Sequence, residues 1–157
     1  MYFDKFIGID WSGDKNSFQK GISVAECTKG NKVPKIVKPL SDKYWTRTTL
    51  IEWLYKEIKS QRNLIGFDFA FSYPFYDRCS YFPGIKESPI NSEKLWKLIE
   101  DINTNAKNFY GGEIWASKTY GKFFNSPKLK GSNFASRRRC TERFAKKKIL
   151  SPSPTFN

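Results

Sequence analysis

The sequence predicts an α/β fold. It reads as a single domain over residues 1–157, with a mixed sheet and one helix in residues 1–78 and peripheral helices, loops and a basic segment in residues 79–157. Three observations carry the prediction. Apolar runs and turn signals through residue 78 follow the order β-β-β-α-β. The helix between the third and fourth strands requires a right-handed crossover, which makes those strands parallel if they share a sheet. The tetrads Ile7-Gly8-Ile9-Asp10 and Ile65-Gly66-Phe67-Asp68 repeat one pattern, apolar-Gly-apolar-Asp, at the ends of the first and fourth strands.

Residues 3–10 read as a buried strand ending at Asp10, with Trp11-Ser12-Gly13-Asp14 as the turn after it. Residues 21–27 and 35–40 read as the second and third strands, joined by the hairpin loop Lys29-Gly30-Asn31-Lys32. Residues 46–60 read as a helix whose apolar residues Leu50, Ile51, Trp53, Leu54 and Ile58 fall on one face. Residues 64–69 form the fourth strand, closed by Ser72-Tyr73-Pro74. In the second half, Ser92 is the expected N-cap of a helix reaching about Ile102, with Glu93 in its first turn. Residues 103–133, rich in Asn, Gly, Lys and aromatics, read mainly as loop, and residues 134–148 as a basic helix ended by the Ser/Pro tail 151–157.

Residues two apart on a strand share a face, so Gly8 lies with Asp10 and Gly66 with Asp68. If the first and fourth strands are parallel neighbours, the two Asp side chains stand ~5 Å apart at one sheet edge. Carboxylates that close repel unless a cation or proton intervenes. Mg²⁺ or Mn²⁺ is the usual cation for an all-oxygen site. The glycines leave backbone open to a close-packed helix or a substrate strand. For either Asp alone the alternative is an Asx-turn at a strand end.

Composition narrows the chemistry. The chain has no histidine, which excludes Ser-His-Asp and Cys-His catalysis, His-metal sites and an imidazole base. The three cysteines, Cys27, Cys79 and Cys140, are far apart and form no C-x-x-C, which excludes a zinc ribbon and points to a reducing, cytoplasmic setting. No apolar run of about 18 residues predicts a membrane span, and the start lacks a signal-peptide core. Net charge is +13, and residues 122–148 alone hold 10 basic and 1 acidic group. Such a block favours nucleic acid first and anionic membrane second. Lys outnumbers Arg 21 to 7, a usage that an AT-biased genome also produces.

The β-β-β-α-β order with Asp at the ends of strands one and four resembles the ribonuclease H-like fold. More narrowly, Phe6-Ile7-Gly8-Ile9-Asp10-Trp11-Ser12-Gly13 and Ile65-Gly66-Phe67-Asp68-Phe69-Ala70-Phe71-Ser72-Tyr73-Pro74 resemble an uncharacterised family of predicted nucleases with that fold (domain of unknown function 429). Arg138-Arg139-Cys140-Thr141-Glu142 resembles the Arg-Arg-x-Thr-Glu stretch that such proteins carry before their last strand. The resemblance implies a mixed sheet of order 3-2-1-4-5, with strands one and four adjacent. It also implies a fifth strand and a closing helix after Pro154; the sequence stops at Asn157, so a truncated member is expected.

The implied activity is that of a metal-dependent nuclease or phosphodiester hydrolase, with Mg²⁺ or Mn²⁺ held by Asp10 and Asp68. The resembling stretch makes Glu142 the candidate third carboxylate; the other reading is an ordinary i,i+4 partner of Arg138 or Lys146. Glu52 and Glu57 on the first helix are disfavoured by level: Thr49 or Leu50, not Glu57, lies level with Asp68, and Glu52 lies opposite the apolar stripe. Asp77 and Glu113 remain without support. Ser12, Lys15 and Arg138 are the candidate substrate-binding residues, with Lys15 or Arg138 available to stabilise phosphate charge. The cluster Arg137–Arg139, Arg143 and Lys146–Lys148 is too dense for one helix face, so part of it is a solvated surface. Interleaved aromatics such as Tyr110, Trp115 and Phe123 either stack on unpaired bases or form the core of an irregular region. Nucleic acid is the expected partner. Two rival classes stand beside the nuclease. Ile7-Gly8-Ile9-Asp10-x-Ser-Gly also resembles the phosphate-binding hairpin of actin-like nucleotide phosphotransferases, which enclose ATP between two lobes. The other rival is a non-catalytic nucleic-acid-binding module with a degenerate site.

Overall fold

The computed structural model describes residues 2–30, 32–40, 42–126 and 130–147, the side chains of Glu142 and residues 145–147 excepted. The chain divides into two compact units, Met1–Asp68 with Lys107–Phe109, and Phe69–Ala106 with Tyr110–Asn157. The division falls at Asp68, earlier than the expected change of character at residue 78.

The first unit is α/β. Strands β1 (Lys5–Asp10), β2 (Ser23–Thr28), β3 (Lys35–Val37) and β4 (Asn63–Phe67) form an open mixed sheet of order β3-β2-β1-β4. β2 is antiparallel to both neighbours, whereas β1 and β4 are parallel. β3 is shorter than expected, ending at Val37 ahead of Pro39, which has no N–H for a ladder. Ile7 and Ile9 are buried while Gly8 and Asp10 are exposed, so the period of two is intact along β1.

Helix α1 (Arg47–Ser60) covers the buried face. Thr46 caps it: its hydroxyl accepts the Thr49 N–H at 3.0 Å, and its own N–H donates to Thr49 Oγ1 at 3.1 Å. Leu50 and Leu54 enter a core with Ile7, Ile9, Ile22, Val24 and Trp45. The expected apolar face is only partly right, because Ile51 and Ile58 are exposed. The inward stripe is 50-54-57, and its third place is taken by a charge. Lys5 Nζ lies 2.7 Å from Glu57 Oε2 and 2.9 Å from Glu26 Oε2, joining β1, β2 and α1. Burial pushes the Lys5 ammonium down, but its hydrogen bonds to Glu57 and Glu26 outweigh this and hold it above the usual lysine range.

The second unit has an aromatic core of Tyr73, Tyr81, Phe82, Phe123 and Phe124 with Leu95 and Ile114. Many of the interleaved aromatics are therefore packing residues. Helix α2 (Ser92–Ile102) begins one residue past its cap, which is Asn91 rather than Ser92: Asn91 Oδ1 accepts the Lys94 N–H at 2.9 Å. Residues 103–126 and 130–133 are loop with short helical turns, among them α3 (Glu113–Ala116). The expected basic helix is broken. Phe134–Arg137 is a 3₁₀ turn, Arg138 is extended at ψ 135°, and α4 spans Cys140–Lys147. In a 3₁₀ turn residues three apart eclipse, which sends both Phe134 and Arg137 into the interior. Arg137 is 0% exposed, and its Nη1 donates to Pro74 O at 2.8 Å and Ser80 O at 3.1 Å. Burial pulls its guanidinium below the usual arginine range, and Asp77 at 3.6 Å opposes the shift. Among the described residues no helix is long and apolar enough to cross a membrane.

Candidate metal centre

Parallel pairing of β1 and β4 sets Gly8 opposite Gly66 and Ile9 opposite Phe67. The ladder runs one step further, with the Asp68 N–H donating to Ile9 O at 3.2 Å. Asp10 and Asp68 are thereby the next pair in register, at the C-terminal ends of neighbouring strands. Both are exposed, on the sheet face opposite α1. A side-chain hydrogen bond with Asp68 holds the Asp10 carboxyl above the usual carboxylate range, with slight burial and charge repulsion acting the same way. The Trp11 N–H donates to Asp68 Oδ1 at 2.8 Å, which fixes that carboxylate against the start of the next loop.

That loop, residues 11–22, is built around two side chains that the sequence did not mark. Arg47 is 4% exposed, and its guanidinium donates to Ser12 O at 2.9 Å, Asp14 O at 2.6 Å and Asn108 O at 2.7 Å. It also lies over the Trp11 ring, 5.9 Å from the centroid. Gln19 is fully buried and donates to the carbonyls of Asp14 and Asn16. The only available signal for Arg47 is weak: a cation in the first turn opposes the helix dipole, which favours a compensating interaction there.

The two glycines share the open face with the carboxylates. A Cβ built on either would meet no atom within 4 Å, and neither has a positive φ. Glycine inside a strand costs roughly 0.5–1 kcal/mol relative to alanine, and no contact among the described residues requires it at these two places.

The other candidates of the first unit lie off the two strands. Ser12 lies two residues beyond Asp10, where its Oγ accepts the Asp14 N–H at 3.3 Å and its carbonyl accepts from Arg47. Lys15 is exposed farther along the loop. Glu57 is bound to Lys5 at the opposite end of β1. Glu52 is exposed on α1, the helix that packs on the other face of the sheet. Asp77 serves Arg137, and Glu113 opens α3 with its N–H donating to Asn103 Oδ1. Arg138 is half-buried in the second unit. Glu142 is on α4 of that unit, and its side chain lies outside the described residues. Among the described residues no group of three or more His, Cys, Asp or Glu side chains is placed to hold a metal ion. Comparison with protein-family models, curated proteins and solved structures finds no match for this chain.

Proposed function

We propose that the chain is a metal-dependent phosphodiester hydrolase, a nuclease of ribonuclease H-like architecture, in which Asp10 and Asp68 hold Mg²⁺ or Mn²⁺. The observation that carries this reading is the in-register parallel pairing of β1 and β4, which sets both carboxylates side by side on one exposed sheet face. The donor set suits a hard divalent cation. Trp11 holds Asp68 by Oδ1 and both carboxyl groups are exposed, so a cation can take the place of the hydrogen bond between them. Mg²⁺ binds through one or two carboxylates and fills its remaining positions with water and substrate phosphate, so two acidic ligands are enough to anchor it. When bound, the divalent cation polarises the phosphoryl oxygen and makes water nucleophilic near neutral pH.

The chain's own groups do the positioning. Asp10 anchors one side of the site from β1. Asp68, restrained by the Trp11 N–H, anchors the other from β4. The absence of histidine agrees with chemistry that needs no imidazole. The net charge of +13 supports a polyanionic substrate, nucleic acid. This reading sets the protein in the cytoplasm, where Cys27, Cys79 and Cys140, all free, stay reduced. Calorimetric titration with MgCl₂ or MnCl₂, wild type against Asp10→Asn, tests it. Saturable binding in wild type that disappears in the variant is expected; wild type that binds neither cation overturns the proposal.

A further inference from the structure

Gly8 and Gly66 stand directly opposite each other, one step of the same-face repeat below Asp10 and Asp68. They floor a shallow trough that opens at the carboxylates and is bounded at its other end by half-buried Phe6 and by Leu64, 47% exposed. Adjacent glycines in paired strands forgo side-chain packing and β-propensity. Among the described residues nothing comes near enough to require that, since a Cβ at either position meets open space. The remaining physical reason for a bare backbone there is close approach by something outside the chain.

We propose that this trough is the substrate path of the Asp10–Asp68 site and that it takes a single, unpaired nucleic-acid strand. One nucleotide lies flat on the Gly8–Gly66 backbone against Phe6 and Leu64, and its phosphate reaches Asp10 and Asp68. The inference rests on the reading of that pair as a phosphodiester site. Three features select the occupant. The trough is continuous with the carboxylates, on the same face and in the same register. Its far end, Phe6 and Leu64, is apolar, which matches the face of an unpaired base and not the phosphate ridge of a duplex. The protein carries a net charge of +13, complementary to a polyanion.

The test fills the trough from within. Gly8→Val and Gly66→Val each add a β-branched side chain where the chain leaves space, so both variants are expected to fold with a melting temperature no lower than wild type. Gly8→Ala, one methyl larger than wild type, is the milder companion should valine perturb the sheet. Binding of a fluorescent single-stranded 12-mer is measured by anisotropy in EDTA, which separates it from metal binding and cleavage. Wild type is expected to prefer the single strand over the duplex, and the valine variants to weaken single-strand binding by about tenfold or more, with MnCl₂ affinity unchanged. Unchanged single-strand affinity in both valine variants, or a wild type that prefers duplex, overturns the proposal. A wild-type dimer that Gly8→Val dissociates without altering oligonucleotide affinity also overturns it, and makes the face a protein interface. If wild type binds no Mn²⁺ but the valines still abolish strand binding, the trough stands and the metal reading fails.

Discussion

The backbone N–H of Trp11 donates to Asp68 Oδ1 at 2.8 Å, across the gap between the chain leaving β1 and the chain leaving β4. The contact holds the Asp68 carboxylate by one oxygen. It also clamps the end of the parallel pair, where the ladder would otherwise fray.

Asp68→Asn keeps an acceptor for Trp11 but removes the charge, whereas Asp68→Ala removes both. In urea denaturation Asp68→Asn is expected to match wild type within about 0.5 kcal/mol, and Asp68→Ala to lose about 1 kcal/mol. Both are expected to lose Mn²⁺ binding. Equal stability of the two variants would show that the Trp11 contact contributes nothing.

Asp10→Asn relieves the repulsion between neighbouring carboxylates. In EDTA at neutral pH the variant is expected to melt slightly above wild type, the difference being on the order of 0.5 kcal/mol at so exposed a site. Added MnCl₂ is expected to raise the melting temperature of wild type and leave the variant unmoved. Differential scanning fluorimetry at both conditions checks the reversal of order.

The Lys5–Glu57–Glu26 group predicts an alkaline limit. Lys5 is held above the ordinary lysine value in the folded chain. Its contribution is therefore complete below the unfolded-state value near 10.5 and is lost as pH rises through the higher folded-state value. Lys5→Met leaves two partly buried carboxylates uncompensated and is expected to cost roughly 1–3 kcal/mol at pH 7. Lys5→Met/Glu57→Leu is expected to recover part of that loss, and denaturant titrations at pH 7 and pH 11 read both effects.

Arg137 is the buried tie of the second unit. Arg137→Met keeps volume but strips the carbonyls of Pro74 and Ser80 of their donor, so a loss of roughly 2–3 kcal/mol is expected. Arg138→Met and Arg139→Met, one and two positions along, are expected to cost less. Thermal melts of the three variants rank them, and an equal effect at all three would contradict the burial pattern.

The sheet and its carboxylate pair were legible because a strand's period of two is simple and the tetrad occurs twice, so face and register followed from counting. The helix stripe was misread at Ile51 and Ile58 because α1 covers only a narrow strip, and the place next to Leu54 on that strip goes to Glu57, whose partner Lys5 is distant in sequence. Arg137 could not be told from Arg138 and Arg139, since only the 3₁₀ turn that aligns it with Phe134 chooses among three identical neighbours. The aromatic core of the second unit is assembled largely from loops, which have no period to read. Gln19 carried no local mark, because its role is to satisfy carbonyls of a loop whose shape is set by Arg47.

The parallel register has a sharper consequence. It is anchored at the far end of the strands, where the Asp4 N–H donates to Arg62 O at 2.9 Å. A slip of a single residue there would turn Asp68 to the helix side while leaving Asp10 in place, since alternate residues face opposite ways. The carboxylate pair thus works as a vernier on the turn at Gln61 and Arg62: lengthening or shortening that turn by one residue would undo the site at the other end of the sheet without touching a residue in it.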